Sequence, residues 1–447
     1  MQNYLRSKLG NNFNIENLGY ISFLIGVFLL ASAVGISILF FLISVVISFS
    51  TSKGYFKDKW NYPFILSSIY MSISTIIHFI NSKSNSLNII DPKLSLIGLT
   101  NWIPLFLCFW AFQKYLNNQK KRMLTGKILI CGSIPVIFSG LLQLLNINGP
   151  FELFNGLIVW FQKPISELGS LSGLFNNQNY AGIWMAMTWP FCLFELKKNS
   201  RNITSKFIII LISICFACFI FMTDSRNALL GFLISTPIVL GSSSLIWYLP
   251  TLIIGLSILA IAVIPIFPES FQIFMKSFVP SRLYTLFPEI GLEYVKSYPR
   301  VNKWLAALNF IASKPFFGWG AASFPIIYQI KSGEWFGHAH SLPLELAVSY
   351  GIIPSIAIFS TYIFILYLAF IKIFRSPKVK INEYSLEYSL SFHRALFASF
   401  LIFLLSHLVD IQYFDARISL YSWILLAGLK SLIEEKNIKS QDNVLFK

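Results

Sequence analysis

Long runs of apolar residues, separated by short polar stretches, occupy most of this chain of 447 residues. Such runs are typical of membrane-spanning helices, because a helix pairs its own backbone groups in lipid, and they are too long for barrel strands. The pattern predicts an all-α polytopic membrane protein with one integral membrane domain over residues 1–447. About twelve transmembrane helices are predicted, over residues 18–34, 36–52, 60–80, 94–116, 127–146, 178–196, 206–222, 227–243, 245–266, 343–371, 394–412 and 418–434.

The composition agrees with this class, since 55% of the residues are hydrophobic and only 12% are charged. The first apolar run is long enough to remain as an anchor, so no cleaved signal is predicted, and it divides near Gly35 into the first two spans. The five cysteines all fall inside apolar segments, without the spacing of a metal site. We interpret them as small packing residues.

The distribution of basic residues predicts how the helices are oriented. Most of the 35 Lys and Arg residues lie in or beside loops on the side of the amino terminus. By the positive-inside rule that side is cytoplasmic, and twelve spans place both termini there. The net charge of +16 then faces the anionic membrane surface, so no nucleic-acid partner is expected. The connections that face away from the cytoplasm are residues 81–93, 147–177, 223–226, 267–341 and 410–417.

The connection 267–341, between spans nine and ten, is much longer than most helix connections, which indicates that it has a function. Pro315 and the Gly318-Trp-Gly320 turn end a helical pattern within it. That pattern predicts an amphipathic helix on the outer membrane surface, with these apolar residues at helical spacing: Trp304, Leu305, Leu308 and Ile311.

Two histidines, His338 and His340, lie at the end of this long loop, directly before a predicted helix. Pro343 fits the first turn of that helix, where a missing N–H costs little. The helix amino terminus attracts anions and disfavours an imidazolium, so His340 is predicted to be neutral beside an anion site. A neutral imidazole there can act as a general base. The alternative is an ordinary loop histidine.

A metal site is the other interpretation of the His-x-His pattern. No third His or Cys lies nearby in the sequence on the same side, and only Glu345 and Asp415 could be recruited as ligands. No metal is therefore expected. His78 and His407 lie in or near apolar spans, and we interpret them as packed, hydrogen-bonded residues.

Three arginines on the same side, Arg226, Arg300 and Arg282, are candidates for binding phosphate, because a guanidinium can hold it with two hydrogen bonds. Arg226 could instead be an interfacial anchor or the partner of Asp224. A solvated loop charge is the alternative for Arg300, and Lys303 could assist either Arg300 or Arg282.

Two further polar groups could contribute to the site. Asp410 and Asp415 lie beside Arg417 in the last outer loop, where they either neutralise one another's charges or orient His340 or an acceptor. Near the start of span six, Asn176 and Asn179 could hydrogen-bond sugar hydroxyls. The alternative is capping of that helix by Asn176 or the asparagine after it.

Together these segments resemble the superfamily of O-antigen ligases and O-antigen polymerases. The resemblance covers roughly residues 170–430. It rests on Gly173-Leu-Phe-Asn-Asn-Gln-Asn, Ser225-Arg-Asn, Arg300-x3-Trp304 continuing to Pro315-Phe-Phe-Gly-Trp-Gly320, and His338-Ala-His-Ser341. Of the ligase pattern, His340, Ser341 and Gly351 fit, whereas Pro354 stands at the final position, where ligases carry Gly, Thr or Tyr. The series Asp410-x4-Asp415-x-Arg417 is similar to cyanobacterial members, some of which carry an older label as bicarbonate transporters.

The resemblance implies transfer of a glycan from undecaprenyl diphosphate at the periplasmic face of the bacterial inner membrane. The acceptor would be a lipid A-core sugar for a ligase, or another lipid-linked repeat for a polymerase. It implies that Arg226 and Arg300 hold the diphosphate, with Arg282 as a further candidate, and that His340 activates the acceptor hydroxyl. His338, Ser341, Glu345, Asn176, Asn179, Asp410 and Asp415 are the supporting residues. No cofactor is expected.

A transporter is the contrasting hypothesis. It would be expected to carry charged or broken helices near the bilayer midplane and often an internal repeat. The spans here are almost free of charge at their centres, and the candidate residues gather at one face. The charge pattern therefore argues against a transporter, and the resemblance makes a glycosyltransferase the leading hypothesis. The ligase is preferred for the spacing of His340, Ser341 and Gly351, and a membrane scaffold is a third alternative.

Overall fold

The computed structural model describes residues 15–52, 54–84, 91–197, 202–264, 266–279, 299–375 and 383–435. These parts of the chain are almost entirely helical, which confirms the all-α class. Within them, nine helical stretches are long and apolar enough to cross a membrane. Two further apolar helices, Ile15–Leu29 and Arg226–Leu240, are shorter. The protein is thus a multi-pass membrane protein, and the count of twelve spans stays a prediction.

The helices of the first part are α1 (Ile15–Leu29), α2 (Val34–Thr51), α3 (Tyr62–Ser84), α4 (Pro92–Leu99), α5 (Ile103–Gln113), α6 (Gln119–Gly132) and α7 (Ile134–Leu144). An antiparallel hairpin follows, formed by β1 (Phe151–Leu153) and β2 (Ile158–Trp160), with Phe151 opposite Trp160. The remaining helices are α8 (Ile165–Leu168), α9 (Gln178–Lys197), α10 (Ile203–Met222), α11 (Arg226–Leu240), α12 (Leu245–Val263), α13 (Glu269–Lys276), α14 (Pro299–Ser313), α15 (Ser323–Ser332), α16 (Leu342–Tyr350), α17 (Ile352–Phe370), α18 (Glu383–Val409) and α19 (Ala416–Glu434).

Three predicted spans are each divided into two helices. The predicted span 94–116 became α4 and α5, 127–146 became α6 and α7, and 343–371 became α16 and α17. A proline lies in the first turn of both α5 and α7, where its missing N–H is tolerated and its ring opposes continuation of the preceding helix. The third break falls at Gly351, whose φ of 95° is unfavourable for other residues.

Two helices form the enclosed centre of the bundle. Every residue of α9 from Ala181 to Phe194 is buried, and so is every residue of α19 from Arg417 to Leu432. Helix α9 packs against α10, α11 and α18, and α19 packs against α5, α17 and α18. The loops that enter these two helices are therefore held by rigid elements.

Helices α14, α15 and α16 form a smaller apolar cluster of their own. The predicted amphipathic helix is present as α14, and its position on the membrane surface stays a prediction. Leu305 and Leu308 are 55% and 51% exposed, whereas Lys303 and Phe310 are buried. The ring of Phe310 packs against Phe324 of α15 at 5.8 Å, so the helix is turned towards α15 and α16.

The segment after α14 attaches this cluster to the bundle at Gly351. The N–H of Ile352 donates to the carbonyl of Pro315 at 2.9 Å, and a Cβ at Gly351 would lie 1.8 Å from the carbonyl oxygen of Phe316. The hydroxyl of Ser74 on α3 donates to the carbonyl of Phe317 at 2.6 Å. Residues 315–317 of the long loop therefore contact the bundle at the break between α16 and α17.

Most residues interpreted as packing residues have that role. A ring nitrogen of His78 lies 3.1 Å from the carbonyl oxygen of Phe317, and that of His407 lies 2.7 Å from a carbonyl of its own helix. All five cysteines are free thiols, and Cys108 and Cys192 are buried. Cys131 and Cys218 are exposed on the bundle surface, so their interpretation as packing residues is wrong.

Candidate functional site

The two histidines lie in the turn that leads from α15 into α16. Ser341 occupies the N-cap position of α16, which confirms that His340 lies beside a helix amino terminus. His340 adopts a positive φ of 52°, an uncommon backbone conformation that its surroundings must hold in place. Glu345 contributes to this, because its carboxylate accepts a hydrogen bond from the N–H of Ala339 at 2.8 Å. Burial raises the pKa of Glu345 to about 7, and the bond from Ala339 opposes only part of this effect.

His340 is paired with Asp410 from the end of α18. Its Nδ1 lies 2.9 Å from Oδ1 of the carboxylate. Burial alone would raise the pKa of Asp410, but the hydrogen bond from His340 and the charge of Arg300 outweigh it and hold this pKa below its usual range. A carboxylate can only accept, so Nδ1 carries the proton and Nε2 is left as the basic nitrogen.

Asp410 is held in turn by its own neighbours. The side-chain amide of Gln412 donates to Oδ2 at 2.9 Å, and the N–H of Ile411 donates to Oδ1 at 3.0 Å. The hydroxyl of Ser406 donates to the amide oxygen of Gln412 at 3.3 Å. Gln412 was missed in the sequence, where only its place between the two aspartates could have indicated it.

Helix α14 contributes two residues, Arg300 and Trp304, which share one face because they are four positions apart. The guanidinium of Arg300 lies 3.8 Å from Oδ2 of Asp410 and keeps 26% of its side chain exposed. The indole of Trp304 donates to the carbonyl of His340 at 3.2 Å. The Arg300-x3-Trp304 motif and the His338-Ala-His-Ser341 motif therefore contact each other directly at His340.

His338 supports the backbone of its neighbour. Its Nδ1 accepts a hydrogen bond from the N–H of His340 at 3.2 Å, and the two rings are 4.4 Å apart. Burial, assisted by the charge of Arg300, lowers the pKa of His338 to about 4. His338 is consequently neutral at physiological pH.

The third residue that a metal site would need is Asp410, not Glu345 or Asp415. Ligand atoms of His338, His340 and Asp410 all lie within 4.8 Å of one another, a set that could hold an ion such as zinc. The Arg300 guanidinium beside Asp410 opposes a cation there. The expectation that no metal is bound stays a prediction.

Asp415 has a structural role. It accepts hydrogen bonds from the N–H and the Nε of Arg417, at 2.9 and 2.8 Å, and so caps α19. The Arg417 guanidinium lies 4.0 Å from the centroid of the Phe175 ring and donates to the carbonyl of Leu174. The predicted neutralisation is therefore correct for Asp415, whereas Asp410 orients His340.

The asparagine-rich segment and the Ser225-Arg226 segment lie side by side. A Cβ at Gly182 on α9, three residues after Asn179, would come within 2.8 Å of the Cβ of Ser225, so the start of α9 touches the Ser225-Arg226 segment. Asn177 accepts a hydrogen bond from the N–H of Asn179 at 2.7 Å, as expected for the capping interpretation. Asn176 is exposed, and the side chain of Asn179 is half-buried.

Arg226 is exposed in the first turn of α11. Among the described residues it forms no hydrogen bond or ion pair with the cluster around His340, so their joint action stays a prediction. The contacts of Arg417 with Leu174 and Phe175 still connect the last loop to the segment that touches Ser225. Arg282 falls outside the described residues.

These observations define a helical multi-pass membrane protein with a His-Asp-Arg cluster at one end of its bundle. Residues 211–359 match the family described as O-antigen ligase, which confirms the resemblance to the O-antigen ligase superfamily of glycosyltransferase-like membrane enzymes. The matched third of the chain includes Arg226, Arg300 and His340 but ends before Asp410. No curated protein matches the chain.

Proposed function

We propose that this protein is a glycosyltransferase that moves a glycan from a polyprenyl diphosphate carrier, such as undecaprenyl diphosphate, to a lipid A-core sugar or a similar acceptor. The observation that supports this most is the pairing of His340 with Asp410 beside the Arg300 guanidinium. It combines a base for an acceptor hydroxyl with a cation for a diphosphate leaving group. The proposed location is the periplasmic face of the inner membrane, because the positive-inside rule places this loop away from the cytoplasm.

In the proposed reaction, Nε2 of His340 takes the proton of the acceptor hydroxyl. At the same time, the oxygen of that hydroxyl attacks the anomeric carbon of the donor. The bond from that carbon to the diphosphate breaks, and the diphosphate leaves with the electron pair. Asp410 stabilises the imidazolium that forms, without itself taking the proton. The glycan is thereby joined to the acceptor oxygen, and the carrier is released as the free diphosphate.

Arg300 and Arg226 are proposed to bind the diphosphate. The charge on the leaving group grows as the bond breaks, so fixed cations stabilise the transition state more than the ground state. Arg300 is suited to this because its contact with Asp410 is long and part of its side chain is exposed. Arg282 is a third candidate. With these cations the transfer is proposed to need no metal ion, and it should therefore proceed in excess EDTA.

A polymerase of the same superfamily differs in its acceptor, which would be another lipid-linked repeat. We prefer the ligase because His340, Ser341 and Gly351 keep the ligase spacing. Surface polysaccharide from a deletion strain complemented with wild type or His340→Ala tests both. Loss of all attached repeats indicates a ligase, and loss of long chains with one repeat attached indicates a polymerase. Polysaccharide that is unchanged by deletion would contradict both functions.

A further inference from the structure

Lys303 on α14 is a buried cation that the proposed reaction does not use. It is only 3% exposed, on the helix face that also carries Ala307 and Phe310, which are buried in the cluster of α14, α15 and α16. Its Nζ lies 3.4 Å from the centroid of the Phe336 ring, close enough for a cation–π interaction. Lys303 is therefore directed towards the loop that carries the two histidines, whereas the side chain of Arg300 stays partly exposed.

Phe336 joins Lys303 to the proposed base. The centroids of the Phe336 and His340 rings are 5.2 Å apart, with their planes at 55°. Asp410 holds the imidazole of His340 at Nδ1. A single hydrogen bond leaves a ring free to tilt about the bonded atom, so a packing contact is needed to fix its orientation. Phe336 supplies that contact, and the direction of Nε2 depends on both neighbours.

Packing alone does not explain a lysine at position 303. Loss of water around the ammonium is unfavourable, and burial accordingly lowers the pKa of Lys303. A methionine has a similar length and would fill the same space without burying a charge. Lysine is thus not the residue that packing would favour here, which points to a role of the charge in the reaction.

We propose that Lys303 is a positioning residue for the transfer, because its ammonium holds Phe336 against His340 and so directs Nε2 towards the acceptor hydroxyl. This inference rests on the proposed function. Lys303 acts through Phe336 and does not touch the donor, which separates its role from that of Arg300. Its removal should consequently slow the chemical step and leave binding of the donor unchanged.

The first test compares steady-state transfer by full-length variants. Lys303→Met removes the charge but keeps the length, and we expect kcat to fall about tenfold with the KM for the donor unchanged. Lys303→Arg should recover most of kcat, because a guanidinium also binds an aromatic face. The thermal unfolding temperature of Lys303→Met should equal or exceed that of wild type, since a buried charge is removed.

The matched control is Lys314→Met, since the Nζ of Lys314 lies 3.8 Å from the centroid of the Trp319 ring in the same long loop. This control should leave kcat unchanged. A kcat of Lys303→Met equal to that of wild type would overturn the proposal. A raised KM for the donor with kcat unchanged would overturn it too, because that result would place Lys303 on the diphosphate.

The second test asks whether Lys303 acts through Phe336. We expect the double variant Lys303→Met/Phe336→Leu to lose no more kcat than Phe336→Leu alone, because the ammonium then has no ring to hold. Losses that multiply would show that the two side chains act independently, and the proposal would be wrong.

The third test does not depend on turnover. Nitrogen NMR spectra of histidine-labelled protein in nanodiscs report which ring nitrogen carries the proton, and His340→Ala identifies the signals of His340. We expect one form, protonated at Nδ1, in wild type and a mixture of two forms in Lys303→Met. Equal spectra would overturn the proposal. The expected change, together with a wild type that transfers no glycan, would contradict only the proposed function.

Discussion

The imidazole of His340 and the carboxylate of Asp410 lie 70 residues apart in the sequence and 2.9 Å apart in the structure. The histidine precedes α16 and the aspartate follows α18, so the pair forms only when both helices are packed. Because Asp410 accepts a hydrogen bond from Nδ1 of His340, it selects the tautomer in which Nδ1 carries the proton and Nε2 is basic. The pair therefore determines both the orientation of the base and its proton-accepting atom.

Replacing Asp410 with asparagine should retain most of the packing but remove the selection of the His340 tautomer. An amide can donate to Nδ1 and select the wrong tautomer, and it cannot stabilise an imidazolium by charge. We expect Asp410→Asn to lower kcat about a hundredfold or more, with little change in KM for the donor. Steady-state transfer by the purified protein measures both. Glu334→Gln, an exposed acid in the histidine loop, is the control, and equal kcat losses in the two variants would contradict the assignment.

Gln412 should act by positioning Asp410. Gln412→Leu keeps similar bulk but removes the donor to Oδ2, and we expect kcat to fall by a factor of 10–100 with the folded fraction unchanged. Loss of a donor to the charged form raises the pKa of Asp410, so the acidic limb of the pH–rate profile should move to higher pH. Ser406→Ala removes only the hydrogen bond from the Ser406 hydroxyl to the amide oxygen of Gln412, so it should lower kcat less. A profile that does not move would leave Gln412 with a packing role only.

Glu345 should make the stability of the protein depend on pH. Because burial raises its pKa to about 7 from an ordinary value of 4.5, its stabilising contribution is complete below pH 4.5 and is lost as the pH rises through 7. That loss is on the order of 3 kcal/mol at most. We expect Glu345→Gln, which still offers an oxygen to Ala339, to reduce the difference in thermal stability between pH 5 and pH 8. An unchanged difference in detergent-solubilised protein would argue against this role.

Gly351 should be essential for folding of the loop onto the bundle. An added Cβ would overlap the carbonyl of Phe316, and the φ of 95° is strained for alanine, so Gly351→Ala should destabilise the protein by about 2 kcal/mol or more. Gly428→Ala is the control, since its nearest neighbours would lie at an ordinary 3.5 Å. Thermal unfolding in detergent compares the two variants. Equal stability of both would contradict the crowding at Gly351.

The all-α membrane class could be predicted from the sequence, because most of the long apolar runs form helices, and nine helical stretches of the described residues are long and apolar enough to cross a membrane. The sequence predicted the internal breaks of the helices poorly, since the break at Gly351 depends on the carbonyl of Phe316 from a different segment. The packing of α14 against other helices could not be predicted for a similar reason, because Phe310 packs against Phe324 of the following helix. Local periodicity contains no information about such neighbours.

Within the site, the candidate histidine and its position before a helix could be predicted from local signals alone. The separate roles of Asp410 and Asp415 could not, because both lie in one short loop with Arg417. The distinction comes from the direction in which each carboxylate points, towards His340 or back to the first turn of α19. Gln412 was missed because a glutamine in such a loop has no distinctive pattern.

The most direct test uses purified protein with a synthetic polyprenyl diphosphate-linked glycan and a sugar acceptor, and follows both the product and the released carrier. Wild type should form both in equal amounts. His340→Ala should bind the donor with unchanged affinity but form product at least a hundredfold more slowly. Product formation by His340→Ala at the wild-type rate would contradict the assignment of this histidine as the base.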